Sequence, residues 1–250
     1  MQTYRLREVQ PADLDAMARW LPPDAERTLP AQGAGEWWLA AVGPGAETPI
    51  AALRVRTALG LDRPRYWYRV GCMVHAAAEL GLFQRQSTLQ LGNDHTGAAE
   101  LADLAVDAAR LDHEQARQAQ RALQAECLRR LHAEAAAGRC TADTIVAELP
   151  GRRDAAGRSP FWDGLGRHFH AGDPDEARAR FGVAWRTQVA ALMPRQCIYV
   201  SMLSPDAQSA IGQVDAGSAA IAEALLDNGF ARGHHVRIDD GGPVFERRIG

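Results

Sequence analysis

The chain has 250 residues, 46% hydrophobic and 24% charged, with a formal net charge of −3. That composition fits one large or two small globular domains and excludes disordered and collagen-like chains. The charge balance lacks the basic excess of a nucleic-acid binder, so no nucleic-acid partner is expected. All 28 basic residues are arginine, which rules out Schiff-base and P-loop lysine chemistry.

Taken in chain order, residues 3 to 8 read as a short strand. Pro11 opens a helix whose apolar positions include Leu14, Met17 and Trp20. Residues 21 to 36 are rich in Pro, Gly and Ala and read as a loop. Residues 37 to 42 and 50 to 59 read as strands paired around Gly43-Pro44-Gly45, and 66 to 75 as a further strand. Residues 88 to 91 and 101 to 106 read as strands flanking a turn over 93 to 97. The strongest helical pattern follows, with Ala116, Ala119, Leu123, Cys127 and Leu131 at three- and four-residue steps. Asp112 and Gln115 have the spacing of a capping box at its start, and Gly138 can end it. Strands are expected over 144 to 149, 198 to 203 and 234 to 239, and helices over 159 to 169, 206 to 213 and 217 to 228. The mixed order predicts one α/β domain spanning residues 1–250.

No apolar run reaches membrane-spanning length, so no membrane partner is expected. The opening MQTYRLREVQPADLD has no apolar core of a secretory signal, which points to the cytoplasm. Cys72, Cys127, Cys140 and Cys197 have no CxxC spacing, so free thiols and no zinc site are expected. His234 and His235 alternate across a strand, cannot both face one metal, and read as a surface pair. No metal is predicted.

The run GRSPFWDGLGRHF over 157 to 169 is the most distinctive stretch. Further blocks are Tyr68-Arg69-Val70-Gly71 with Val74-His75-Ala76, and Thr88-Leu89 with Asn93-Asp94-His95-Thr96-Gly97 and Glu100-Leu101. Leu192-Met193-Pro194, Ile198-Tyr199, Ala207-Gln208 and Ile211-Gly212-Gln213-Val214 come next. Gly229-Phe230 and Asp240-Gly241-Gly242-Pro243 close the series. In this order, over roughly residues 60 to 245, the chain resembles the arginine N-succinyltransferase family.

The resemblance implies a mixed twisted sheet flanked by helices, GCN5-related N-acyltransferase-like. It implies transfer of a succinyl group from succinyl-CoA, as cosubstrate, to the α-amine of arginine or a related amine, with no permanently bound cofactor. Leu104, Ala105 and Val106 match the strand along which pantetheine lies. Glu148, Asp94 and His95 stand at matching positions, and Glu148 is, with His95, a catalytic candidate. His95 is a candidate base, the other reading being a hydrogen-bonded turn histidine. Arg69, Asn93 and Asp94 are candidate substrate contacts or braces of the turn. Full-length relatives carry a longer helical insert near residues 21 to 36 and a further C-terminal segment, both expected to be missing here.

Three departures bear on activity. The family carries Gly-Asn-Gly before the long helix; this chain has Asp112-His113-Glu114 in that region and no glycine. Cβ atoms oppose the left-handed geometry of a phosphate cradle, and acidic residues at a helix start repel pyrophosphate. Arg110 and Arg117 compensate in part. The family's proton donor is the histidine of Gln-Val-His, replaced here by Asp215; Asp215 is the candidate acid in its place if burial raises its pKa, since a carboxylate in water is a poor acid near neutral pH. Ala191 stands where the family has Glu. Three readings follow: an acyl-CoA N-acyltransferase, a degenerate paralogue serving a homologous competent subunit or oligomer, and a member using another acyl donor. Phe161 and Trp162 read as core rather than ligand platform, and Asp239 and Asp240 as a solvated turn, the other reading being an acidic rim for a cationic substrate.

Overall fold

The computed structural model describes residues 4–23, 25–30 and 35–249. Position 3 of the first predicted strand, and 24 and 31–34 of the predicted loop, lie outside the described residues. Ten strands form one sheet: β1 (Arg5–Glu8), β2 (Glu36–Val42), β3 (Pro49–Arg56), β4 (Trp67–Ala77), β5 (Leu82–Gly92), β6 (Ala99–Val106), β7 (Thr144–Glu148), β8 (Ile198–Tyr199), β9 (Ala231–Arg237) and β10 (Pro243–Arg248). The helices are α1 (Asp13–Met17), α2 (His113–Ala136), α3 (Pro160–Gly164), α4 (Pro174–Phe181), α5 (Trp185–Leu192), α6 (Pro205–Ala210) and α7 (Ala219–Asp227). The strand order is β1-β2-β3-β6-β7-β10-β9-β4-β5-β8. This is the α/β architecture expected. Pairing is antiparallel except between β6 and β7, whose crossover is α2.

Alternation along the strands divides the molecule. Leu39, Ala51, Leu53, Leu101, Ile145 and Ala147 face α2 and α7 and bury Leu123, Leu131, Ile221 and Leu225 with them. The opposite face carries Trp38, Ala40 and Ala52 against Met17 of α1. It also carries the charged residues Glu36, Arg54, Arg56, Glu100 and Glu148. A second apolar cluster joins Phe161, Trp162, Trp185 and Val189 to Tyr68, Leu89 and Val236. Phe161 and Trp162 are core, as expected.

Several elements differ from the sequence reading. The strand expected at 88 to 91 begins at Leu82 and forms a long hairpin with β4. The strand expected over 198 to 203 ends at Tyr199 and becomes a 3-10 turn. Helices α4 and α5 were not anticipated. Nor was β10, which sits between β7 and β9. Capping explains why α2 starts where it does. Asp112 accepts from the Gln115 amide at 2.8 Å, and Gln115 returns a bond to the Asp112 amide at 3.1 Å. Gly138, at φ +72°, follows its end.

Candidate active site

β6 and β7 form a fork. Their parallel pairing covers Ala99↔Ile145, Glu100↔Val146 and Leu101↔Ala147 and then stops, although β6 continues to Val106. At the point of divergence β6 carries a bulge against β3. Ala52 pairs with Ala105 and Arg54 with Ala102, leaving Asp103 and Leu104 opposite Leu53 alone. Asp103 has φ +51°, the one positive value among the described non-glycine residues. Such a kink draws backbone groups out of the ladder, and bulges are frequent beside active sites. α2 is fastened to this region by Gln120, which is fully buried and donates to the carbonyls of Ala105 and Ala52 at 2.7 and 3.2 Å.

The fork opens on the face opposite α2 into a cavity of about 400 Å³. Residues 101–104, Glu148 and Pro150 line it, together with Glu26, Glu36, Arg56, Arg65, Glu100, Arg186 and Arg237. The charges are paired. Glu148 accepts from Trp67 Nε1 at 2.6 Å and meets Arg65 at 2.8 Å and Arg186 at 3.1 Å. Glu100 meets Arg56 at 2.7 Å and Arg65 at 3.3 Å. Glu36 and Glu26 bridge Arg54 and Arg56. Burial favours a neutral Glu148, but Arg65, Arg186 and Arg237 outweigh it and hold the carboxyl far below its ordinary range. Glu148 is thus placed to orient the guanidinium groups of Arg65 and Arg186.

A second polar cluster lies on the same face beyond Trp67. His95 is buried and meets the Trp67 ring edge-on, with centroids 5.0 Å apart, and the His235 ring at 4.2 Å. Burial and the neighbouring His235 hold the His95 imidazole below its ordinary value, against the pull of Glu246, Glu148 and Asp94. His235 is itself pushed down by burial, but hydrogen bonds to Glu246 and Asp94 raise it overall. Its Nε2 lies 2.9 Å from Asp94 Oδ2 and its Nδ1 3.3 Å from Glu246 Oε1. The reading of His234 and His235 as a surface pair is corrected: His234 is exposed, whereas His235 turns inward.

The expected site residues thus fall into separate places. Leu104 and Glu148 line the cavity; Ala105 and Val106 continue the β6 arm of the fork. Asp94 and His95 belong to the histidine cluster. Asn93 builds the turn through its carbonyl, which accepts from Thr96 Oγ1 at 2.8 Å. Arg69 is exposed on β4. Arg110 is exposed, with Nη1 on Thr48 Oγ1 at 3.0 Å. Arg117 is held by Asp227 of α7 through bonds of 2.8 and 3.0 Å. Asp215 lies outside the cavity lining and caps a 3-10 turn, accepting from the Gly217 amide at 2.9 Å. Asp239 and Asp240, expected in a solvated turn, are buried beside Arg237, and Asp239 also meets Arg178.

The sequence reading missed Arg56, Arg65, Glu36, Arg186 and Arg237, and gave Glu100 no role. The available signal was charge at alternate positions of strands whose other face is wholly apolar, as in Arg54-Val55-Arg56 and Glu100-Leu101. A buried sheet face tolerates charges only when they meet partners.

A parallel pair that diverges after a bulge, crossed over by one long helix and opening onto a polar cavity, defines the GCN5-related N-acyltransferase fold. A family model described as AstA, arginine N-succinyltransferase beta subunit, matches residues 44–250. The chain belongs to this family. An arginine N-succinyltransferase of Enterobacter sp. (strain 638) is 37% identical over 199 residues, covering 80% of this chain and 56% of that protein. One from Salmonella paratyphi B is 38% identical over 192 residues, covering 77% and 54%. The chain therefore spans little more than half the length of these curated relatives. The arginine/ornithine succinyltransferase subunit AI of Pseudomonas aeruginosa superposes with a TM-score of 0.76 at 23% identity, over 100% of this chain and 78% of that one.

Proposed function

We propose that the chain is an acyl-CoA-dependent N-acyltransferase that moves a succinyl group from succinyl-CoA to the α-amine of arginine or a related amino acid. The observation that carries this reading is the bulged β6/β7 fork opening onto the charged cavity. A thioester arm laid along Leu104, Ala105 and Val106 brings its carbonyl to the bulge, where backbone N–H groups can stabilise the tetrahedral oxyanion. The acceptor enters from the cavity. Its carboxylate suits Arg65, Arg186 or Arg237, and its cationic end suits the glutamates. The α-ammonium first gives one proton to water; the neutral amine then attacks, the C–N bond forms as the C–S bond breaks, and the nitrogen's surplus proton passes through water to the departing CoA sulfur, a fair leaving group near neutral pH that needs little help from a protein acid. Much of the acceleration then comes from orientation and electrostatics. We place the reaction in the cytoplasm; the four unpaired cysteines are in keeping with a reducing compartment.

A second reading is favoured by one observation. The helix start that would meet pyrophosphate has two of its amide donors, those of Asp112 and Gln115, engaged in the capping box, and Arg117 is committed to Asp227. A chain that binds CoA poorly would suit a non-catalytic subunit paired with a homologue. The two readings separate in one assay. Purified chain is given succinyl-CoA and L-arginine, thiol release is followed, and N-succinylarginine is identified by mass spectrometry. Product from the chain alone supports the enzyme. Product that appears only when a homologous, glycine-loop-bearing subunit is added supports the subunit reading.

A further inference from the structure

The histidine cluster beyond Trp67 has the composition and spacing of a metal site. His95, His235 and Glu246 bring one ligand atom each to within 4.8 Å of one another. His95 Nε2 lies 3.5 Å from Glu246 Oε1, and His235 Nδ1 lies 3.3 Å from the same oxygen. Zinc–nitrogen and zinc–oxygen bonds of about 2.0–2.2 Å in a tetrahedron set ligand atoms roughly 3.3–3.5 Å apart. The two separations to Glu246 match that edge, and the two imidazole nitrogens lie within 4.8 Å of each other.

Three further observations point the same way. His95 is 7% exposed and its Nε2 makes no hydrogen bond, so a buried, unpartnered ring nitrogen stands 3.5 Å from the shared oxygen. His235 holds its second ring nitrogen against Asp94 Oδ2 at 2.9 Å. A carboxylate on the far nitrogen is the usual outer support of a metal-bound histidine, fixing its tautomer and ring. Finally, residue 233 on β9 is glycine, and a Cβ there would collide with the Glu246 carboxylate. The missing side chain leaves room for that carboxylate to lie over the sheet.

We propose that His95 Nε2, His235 Nδ1 and Glu246 bind one divalent transition cation of the zinc class, with Asp94 supporting His235 and a fourth position open to water. Two imidazoles and a carboxylate are a borderline ligand set suited to such an ion. The site joins the loop over 93–97 to β9 and β10. It is separate from the β6/β7 fork and stands whether or not the chain transfers acyl groups.

The test uses the whole chain, stripped of metal by dialysis against a chelator and titrated with Co²⁺. Wild type is expected to take up one Co²⁺ per chain with the intense visible bands of four-coordinate cobalt, and to lose them when one equivalent of Zn²⁺ is added. Glu246→Gln, which is isosteric, and His235→Ala should each abolish the bands while the far-ultraviolet dichroism of the fold is retained. Asp94→Asn should keep the bands with an affinity weaker by roughly 10–100-fold. No four-coordinate bands in wild type would overturn the proposal, as would bands that survive in both ligand variants. A direct His235–Glu246 ion pair would then account for the cluster.

Discussion

At the scale of single residues, the charges lining the cavity are the most constrained feature. Glu148 is buried beneath Arg65 and Arg186, so removing it strands guanidinium charge in the interior. Glu148→Leu is expected to cost about 3–5 kcal/mol in urea unfolding; a change below 1 kcal/mol would show that water reaches the pair. Asp103 is the other telling position. Its left-handed backbone tolerates Asp but opposes a β-branched side chain, so Asp103→Val should destabilise the fold by roughly 1–2 kcal/mol. Asp215 carries a different expectation. Asn preserves the acceptor that caps the 3-10 turn, so Asp215→Asn should leave any turnover within about threefold; a drop of a hundredfold in kcat would make Asp215 the acid after all. What the sequence showed at this scale was uneven. Leu104 and Glu148 stand out through family position, and both line the cavity. His235 and Glu246 were not, because strand pairing across β9 and β10 brings them together and neither residue has a local pattern that announces it.

At the scale of elements, α2 is the clearest case of sequence dictating structure. Its apolar spacing, its capping box and its terminal glycine all agree, and the helix forms where they place it. The same capping box has a consequence for binding. Donors satisfied by Asp112 and Gln115 are not free for pyrophosphate, and Glu114 adds negative charge at the helix start. CoA should therefore bind little better than the bare pantetheine arm, within about threefold by calorimetry. CoA binding tighter by a hundredfold would reveal another phosphate cradle. Asp112→Ala should lower stability by roughly 0.5–2 kcal/mol through loss of the cap. The elements that escaped notice have physical reasons too. β10 (Pro243–Arg248) begins at a proline and ends in charge, so it does not read as a buried strand, and it is placed in the sheet by pairing both with β9, just before it in the chain, and with the distant β7. Residues 82 to 87 of β5 are mostly exposed and polar, and only pairing with β4 extends the strand through them. Helices α4 and α5 are each eight residues long and stand in an arginine-rich stretch whose periodicity is weak.

Across the whole molecule, the fold follows from a sheet whose one face is apolar and whose other face is charged. The order of motifs along the chain made the family legible; the ion-pair lattice that fills the charged face needed three dimensions. That lattice sets the acid response. Burial disfavours the charged forms of Glu148 and Asp239, but the surrounding arginines prevail and depress both carboxyls in the folded state. Their contribution is fully present above the unfolded carboxylate values, about pH 4 to 4.5, and is lost as pH falls toward the folded ones. The thermal midpoint should decline steadily below about pH 4, and a midpoint that rises on acidification would contradict this. The central claim concerns the fork, and hydrogen–deuterium exchange with and without succinyl-CoA tests it most directly. The account predicts slower exchange at the amides of residues 102–106 and 147–150 when the thioester is present, with little change at 110–116. Protection absent from 102–106, or confined to another part of the sheet, would contradict it.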